Sequence, residues 1–179
     1  MGRPKALMAD ADGVGWLDRA VEALRSGGCA TVAVVLGAEY DRAATLLRSL
    51  PSGDGLQVVV ADDWATGMSA SLRAGLEYAA TTATLSACVT LVDLPDVGAE
   101  VVRRVTTTVG DTPSALGRAA YRGVPGHPVV LGRDHWQPVI TTSTGDQGAR
   151  SYLGEHVTRL VECGDLAGGH DIDTPEQMR

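Results

Sequence analysis

The sequence SACVTLVDLPD, from Ser86 to Asp96, decides the fold of this chain. A run of small and apolar residues, several of them β-branched, ends in the carboxylate of Asp93. A run of this kind, too short for a membrane span, is typical of a strand buried on both faces. Pro95 has no backbone N–H to donate, so strand pairing is expected to stop near it. The sequence therefore predicts that Asp93 lies at the carboxyl edge of an interior strand.

Asp93 has two interpretations at this position. Ligands of open α/β sheets bind at the carboxyl edge of the strands, where a carboxylate suits a hard cation that carries phosphate oxygens. Alternatively, Asp93 caps the helix that follows. The strand-end aspartate taken alone leaves these two interpretations about even.

Strands and helices alternate along the chain on both sides of this stretch. The apolar spacing predicts strands at 31–36 and 56–60, and helices from Trp16 to the Gly27-Gly28 pair and over 40–50, 68–80 and 98–109. Such alternation builds right-handed crossovers and a parallel sheet with helices on both faces. The sequence therefore predicts a three-layer α/β/α, Rossmann-like fold with a mostly parallel sheet.

The regular alternation of strands and helices ends after Gly110. The segments 113–121 and 129–131 are separated by a glycine-rich turn, which predicts an antiparallel excursion at the sheet edge. Two short helices, over 133–139 and 147–155, and a last strand over 157–161 are expected to follow. No internal repeat or linker interrupts the chain, so residues 1–179 are expected to form a single domain.

Composition narrows the possible partners. The chain has 179 residues, 44% of them hydrophobic, and a formal net charge of -7. This charge argues against DNA or RNA as a partner, because no basic stripe displaces the counterions of a polyanion. The three cysteines form no CxxC pair, which favours a reduced, cytoplasmic compartment over a disulfide framework. No apolar run is long enough to span a membrane and no signal peptide opens the chain, so no membrane partner is expected.

Asp173 is the natural partner of Asp93. It precedes Thr174-Pro175-Glu176, which is a good helix start, and on this segment alone capping is the stronger interpretation. Two carboxylates at one sheet edge would repel each other unless a cation joined them. Magnesium accepts one or two carboxylates together with substrate phosphates.

The segment from Gly67 to Leu72 stands where a loop leads into a helix. Gly67 allows a ligand to approach the backbone, and Ser69 and Ser71 offer hydroxyls beside the free amides of a helix N-terminus. The simpler interpretation is a serine at the N-cap.

Four further segments carry weaker signals. Lys5, beside Gly2, could neutralise a triphosphate, but a lone lysine near a terminus is more often solvated. His127 starts a strand and could line a pocket, although turn histidines are commoner. Arg150 is a potential anion clamp, and Asp146 is equally suited to cap a helix.

The order of these segments resembles that of the MobA-like nucleotidyltransferase family, and within it the molybdenum cofactor cytidylyltransferases. The resemblance covers nearly the whole chain. Residues 1–5 are similar to the end of the family's glycine-rich loop. The other matching segments are GMSxSL (67–72), VDLP (92–95), GHPV (126–129), GDQGAR (145–150) and DIDTPE (171–176).

This resemblance implies a glycosyltransferase-A type sheet and a role for each segment. Asp93 and Asp173 would hold Mg²⁺, and Lys5 would meet the triphosphate as the third catalytic group. The implied nucleotide-binding residues are Gly2, Lys5, Gly67, Ser69 and Ser71. The implied acceptor-binding residues are His127, Asp146 and Arg150.

The activity that the resemblance implies is transfer of CMP from CTP to molybdopterin, with release of pyrophosphate. A molybdoenzyme or its chaperone would be a further partner. Two alternatives stay open: a guanylyltransferase that uses GTP on a related cofactor, and a non-catalytic nucleotide-binding remnant. The second arises because the family's first strand and most of its glycine-rich loop precede the position of Met1. Loss of a central strand is expected to leave neighbouring backbone groups unpaired.

Overall fold

The computed structural model describes residues 5–10, 12–38, 40–49 and 55–172. The helices are α1 (Trp16–Ser26), α2 (Tyr40–Ser49), α3 (Met68–Ala80), α4 (Ala99–Val109), α5 (Arg133–Thr142) and α6 (Arg150–Glu155). The strands are β1 (Val32–Leu36), β2 (Leu56–Val60), β3 (Ser86–Val89), β4 (Leu116–Tyr121), β5 (Val124–Gly132) and β6 (Arg159–Glu162). Among the described residues, no helix is both long and apolar enough to cross a bilayer.

The sheet forms two sections in the described part of the chain. The first is the parallel pair β1–β2, in which Val34 lies opposite Val58. The second has the order β3-β5-β4-β6, with β5 antiparallel to both neighbours and β6 parallel to β4. The antiparallel hairpin β4–β5 was expected at the sheet edge, but it lies inside this section because β6 pairs with the outer side of β4.

Strand β1 alternates between two helical layers. Val32, Val34 and Leu36 are buried in one cluster with residues of α1 and α2. Val35 points the other way, towards α3, where a Cβ added to Gly75 would lie 3.1 Å from its Cγ2 atom. This alternation is the two-residue period of a strand covered on both faces.

Strand β5 shows the same pattern in the second section. Val130 is buried with residues of α4, whereas Val129 and Leu131 are buried with residues of α3, α5 and α6. Helices therefore cover both faces of both sections, and the predicted three-layer α/β/α architecture is confirmed.

Strand β3 is shorter than predicted and is not an interior strand of the described sheet. Its last paired residue is Val89, opposite Val129, and its residues are half-buried. The next position of β5 is Pro128, which has no N–H to donate, so the ladder ends there. The apolar run continues as turns in which Leu91 and Val92 pack against different core clusters. Asp93 therefore lies four residues beyond the end of the strand.

Candidate functional site

Asp93 is a buried carboxylate in the turn that follows β3. It is only 8% exposed, and its Oδ2 atom accepts a hydrogen bond from Lys5 Nζ at 2.5 Å. Its Oδ1 atom is also buried and has no hydrogen-bond partner in the described chain. Helix α4 begins only at Ala99 with Gly98 as its N-cap, so Asp93 does not cap the next helix.

The unpartnered oxygen identifies Asp93 as a candidate cation ligand. A buried carboxylate oxygen without a partner costs free energy, and a cation at that oxygen would remove the cost. Carboxylate oxygens are also the ligands that magnesium prefers. The Lys5 side chain is 32% exposed, and its ammonium group contacts Asp93.

The C-terminal segment is held against the turn that carries Asp93. The backbone N–H of Ile172 donates to the Asp93 carbonyl oxygen at 3.0 Å. The Asp96 carboxylate accepts hydrogen bonds from the N–H groups of Gly168 and Gly169, at 2.7 and 3.1 Å. The described chain therefore ends, at Ile172, beside Asp93.

Two of the predicted site residues, Gly2 and Asp173, lie outside the described residues. The shared ion of Asp93 and Asp173 thus stays a prediction. In the described ranges, no group of three or more His, Cys, Asp or Glu side chains is arranged to hold a metal.

The N-terminus of α3 is locked to the 145–148 turn. Gly67 is the N-cap, with a φ of +119°, and a Cβ there would lie 2.5 Å from the Gly145 carbonyl carbon. Ser69 is buried, and its hydroxyl oxygen accepts the N–H of Gly148 at 3.1 Å. The glycine is therefore required by a close backbone approach, and the expected N-cap serine is wrong because Gly67 occupies that position.

Asp146 supplies the missing cap from a distant part of the chain. Its Oδ1 atom accepts the N–H of Met68 at 3.1 Å, the first residue of α3. It was expected to cap its own helix or to face the acceptor, and the structure gives it a long-range capping contact. Ser71 is half-buried one turn further along α3, and Arg150 is the exposed first residue of α6.

His127 is fixed near the start of β5. The Tyr121 hydroxyl donates to the His127 carbonyl oxygen at 2.6 Å. Burial lowers the pKa of His127 to about 4, helped by the positive charges of Arg118 and Arg150 and opposed by the negative charge of Asp93. The imidazole is therefore neutral near pH 7, and the charges of Arg118, Arg150 and Asp93 all influence it.

The Tyr121 ring also separates two backbone segments. A Cβ added to Gly126 would lie 2.7 Å from the ring, and one added to Gly169 would lie 2.1 Å from it. The phenol therefore stands in contact with both the turn that precedes His127 and the segment that leads to Ile172.

Arg118 is a candidate residue near His127 that the sequence predictions missed. It lies half-buried in β4, and its Nε donates to the Gly126 carbonyl oxygen at 3.0 Å. Burial lowers the pKa of its guanidinium, and the charge of Arg150 lowers it further. An arginine within a strand of small buried residues, LGRAAY, was the available signal.

Comparisons with known proteins identify the family of this chain. The MobA-like NTP transferase domain matches residues 1–160. The nicotine blue oxidoreductase of Paenarthrobacter nicotinovorans is 34% identical over 188 residues, which cover 99% of this chain and 88% of that protein.

Solved structures with the same fold include two mycobacterial proteins. The Rv0371c protein of Mycobacterium tuberculosis H37Rv, in complex with manganese, has a TM-score of 0.73 and 26% identity, covering 98% of this chain and 89% of that one. Its homologue from Mycobacterium sp. strain JC1 has a TM-score of 0.75 and 26% identity, covering 98% and 85%. Because the domain match spans most of its length, the chain belongs to the MobA-like NTP transferase family, whose fold is that of a nucleotidyltransferase.

Proposed function

We propose that this chain is a magnesium-dependent nucleotidyltransferase that transfers CMP from CTP to a phosphate-bearing acceptor such as molybdopterin. The observation that carries the proposal is the buried Asp93 carboxylate. One of its oxygens contacts Lys5, the other has no partner in the described chain, and Ile172 lies against its backbone. A half-satisfied carboxylate beside a lysine suits a site for a divalent ion and a triphosphate.

In the proposed reaction, an oxygen of the acceptor phosphate forms a bond to the α-phosphorus of CTP. The bond between that phosphorus and the bridging oxygen of the β-phosphate breaks, and pyrophosphate leaves. Asp93 and Asp173 would hold Mg²⁺, which when bound neutralises charge on the phosphate oxygens. Lys5 would offset further charge on the leaving group, and the rigid α3 N-terminus would hold the nucleoside through Gly67 and Ser71.

Pyrophosphate release tests the role of Asp93. The change Asp93→Asn removes the negative charge and keeps the size, so we expect the rate to fall about a hundred-fold or more while the fold persists. Asp134→Asn, an exposed position at the start of α5, is the matched control and should retain the wild-type rate. A wild-type rate and magnesium dependence in Asp93→Asn would remove the metal role.

Asp173→Asn separates metal binding from helix capping. We expect a loss of rate nearly equal to that of Asp93→Asn. Normal magnesium dependence in this variant would show that Asp173 does not bind the metal and would leave helix capping as its role.

A panel of nucleoside triphosphates tests which nucleotide the protein prefers. Thermal shifts with Mg²⁺ and CTP should exceed those with GTP, and the reverse order would support the guanylyltransferase. Binding of either nucleotide with no pyrophosphate release, when molybdopterin is supplied, would support the non-catalytic alternative.

One observation favours a second candidate function. A relative with 34% identity over almost the whole chain is named as an oxidoreductase. We therefore propose an oxidoreductase reaction as the second candidate. Consumption of NADH or NADPH with a quinone acceptor, undiminished in Asp93→Asn, would favour this function over nucleotidyl transfer.

A further inference from the structure

The thiol groups of Cys29 and Cys88 meet between the two sections of the sheet. Cys29 lies in the turn between α1 and β1 and packs against the core cluster of α1, β1 and α2. Cys88 lies in β3, opposite Val130, and packs against the core cluster of the second section. Both residues are half-buried, and their thiol groups are hydrogen-bonded to each other. The pair therefore joins two sections that share no backbone ladder among the described strands.

Backbone contacts at the end of α1 hold Cys29 near the second section. The Ser26 carbonyl oxygen accepts a hydrogen bond from Arg103 of α4. Gly27 approaches the same helix so closely that an added Cβ would lie 2.4 Å from Val102 Cγ1. The Cys29 N–H closes the turn with a hydrogen bond of 3.0 Å to α1. Helix α4 also belongs to the cluster against which Cys88 packs, so contacts that involve neither thiol bring the two cysteines to the same helix.

The two thiols differ in reactivity. The hydrogen bond from the Cys88 thiol lowers the pKa of Cys29, against the opposing effect of burial. The same hydrogen bond raises the pKa of Cys88, and burial raises it further. Cys29 is therefore the better source of thiolate, which is the nucleophilic form of cysteine. A nucleophilic cysteine beside a second cysteine that can resolve its oxidised form is typical of peroxide-sensitive thiol pairs.

We propose that Cys29 and Cys88 form a disulfide bond when the protein meets a peroxide. The Cys29 thiolate attacks one peroxide oxygen, the O–O bond breaks, and the other oxygen takes a proton and leaves as water. The Cys88 sulfur then attacks the sulfur of the resulting sulfenic acid, the S–O bond breaks, and a second water leaves. The two thiols lose two electrons and the peroxide gains them. This reaction is independent of the proposed nucleotidyl transfer.

The disulfide would tie the section that contains β1 to the section that contains β3. A cross-link stabilises a protein largely by restricting its unfolded chain, and the effect grows with the separation of the two residues in sequence. Oxidation should therefore raise the Tm by roughly 5–15 °C, and dithiothreitol should reverse the rise.

Peptide mapping after peroxide treatment tests the pair. The folded full-length chain is treated with hydrogen peroxide, its remaining thiols are alkylated, and it is digested with trypsin without a reductant. The three cysteines fall on separate tryptic peptides, 26–42, 74–103 and 160–179. We expect peptide 26–42 to be cross-linked to 74–103, with peptide 160–179 free. Chain unfolded in urea should form this cross-link more slowly, because its thiols are no longer held together.

Cys163→Ala is the matched control, since it replaces the remaining cysteine and should keep both the cross-link and the rise in Tm. Cys29→Ala and Cys88→Ala should each lose both. Each variant is compared with its own reduced form, so that any change in packing cancels. Because Cys29 follows the end of α1 and is only half-buried, Cys29→Ala decides the matter even if Cys88→Ala fails to fold.

Four outcomes would overturn the proposal. Wild type might form no cross-link between peptides 26–42 and 74–103 within one chain, or Cys163 or a second chain might take part instead. The unfolded chain might form the cross-link as fast as the folded chain. Oxidation might also raise the Tm of Cys29→Ala as much as that of wild type.

Discussion

The buried carboxylate of Asp93 is stable only while its surroundings supply positive charge. Removing one partner of a buried ion pair is costly because the other charge stays behind. Lys5 supplies one cation, and the second oxygen remains for another. A divalent ion at the unpartnered Asp93 oxygen would stabilise only the folded chain. We therefore expect ion binding near Asp93 and Lys5 to raise the free energy of unfolding.

His127 makes a second prediction at the scale of the single residue. Its pKa is about 4 in the folded chain, below the ordinary histidine value of about 6.5. Between these values the unfolded chain binds the proton and the folded chain does not, so this contribution to stability is present above about pH 6.5 and is lost as the pH falls towards 4. The free energy of unfolding should therefore fall by about 2 kcal/mol more in wild type than in His127→Gln between about pH 7 and pH 5.

Urea unfolding at the two pH values measures this difference. His170→Gln is the control, since it makes the same substitution at an exposed histidine. Equal slopes in His127→Gln and wild type would show that the imidazole is not held neutral.

Helix α3 begins where two backbone segments touch, and this junction gives a prediction at the scale of the element. Gly67→Ala places a Cβ 2.5 Å from the Gly145 carbonyl carbon and forces a side chain onto a φ of +119°. We expect a loss of about 1–3 kcal/mol in stability from the backbone alone, together with faster hydrogen exchange at the Gly148 amide. The measurements are urea unfolding and amide exchange.

Gly154→Ala is the matched control, because it also replaces a glycine by alanine. Gly154 lies in α6, and a Cβ there would contact nothing within 4 Å. That variant should be neutral or slightly stabilised, because alanine favours a helix. A loss of stability as large as that of Gly67→Ala would show that the close approach is not the cause.

The bounds of a helix or strand were predicted correctly where neighbouring residues in the sequence determine them. The predicted bounds of α3 are confirmed, since Gly67 precedes an uninterrupted helical pattern, and α1 ends before Gly27 as its sequence indicates. The end of β3 was predicted too late, because an apolar run continues to be buried after its ladder partner has reached Pro128. Hydrogen-bonding partners on another strand are not visible in a local pattern.

Long-range contacts in the candidate site were also not predictable from the local sequence. Asp93 was predicted as a site residue from the carboxylate that follows its apolar run, whereas the cap that Asp146 provides for Met68 joins residues 78 positions apart. Arg118 escaped notice because an arginine in a strand is ordinarily a solvated side chain. Only the fold places it beside Gly126 and under the influence of Arg150.

At the scale of the whole molecule, α3 links the two sections of the sheet. Its Gly75 faces β1, and its Leu76 is buried with residues of β4, β5, α5 and α6. Leu76→Ala should therefore lower the free energy of unfolding by about 2–5 kcal/mol. Protection from hydrogen exchange should fall together in β1 and β5, which amide exchange resolved by residue would measure.

Val157→Ala is the control for this change, because Val157 is 99% exposed and its truncation should leave stability unaltered. Loss of protection confined to β5 would show that the two sections unfold separately.

Tyr121 sets the distance between two backbone segments of the molecule. The chain contains no phenylalanine and few other aromatic residues, yet one phenol fills the distance between the Gly126 turn and Gly169. An aromatic ring cannot be compressed, so it acts as a rigid spacer between the turn that precedes His127 and the segment that contains Gly169. The separation of these two backbone segments is thus set by a single planar side chain, and a smaller residue at position 121 would leave unfilled space between them.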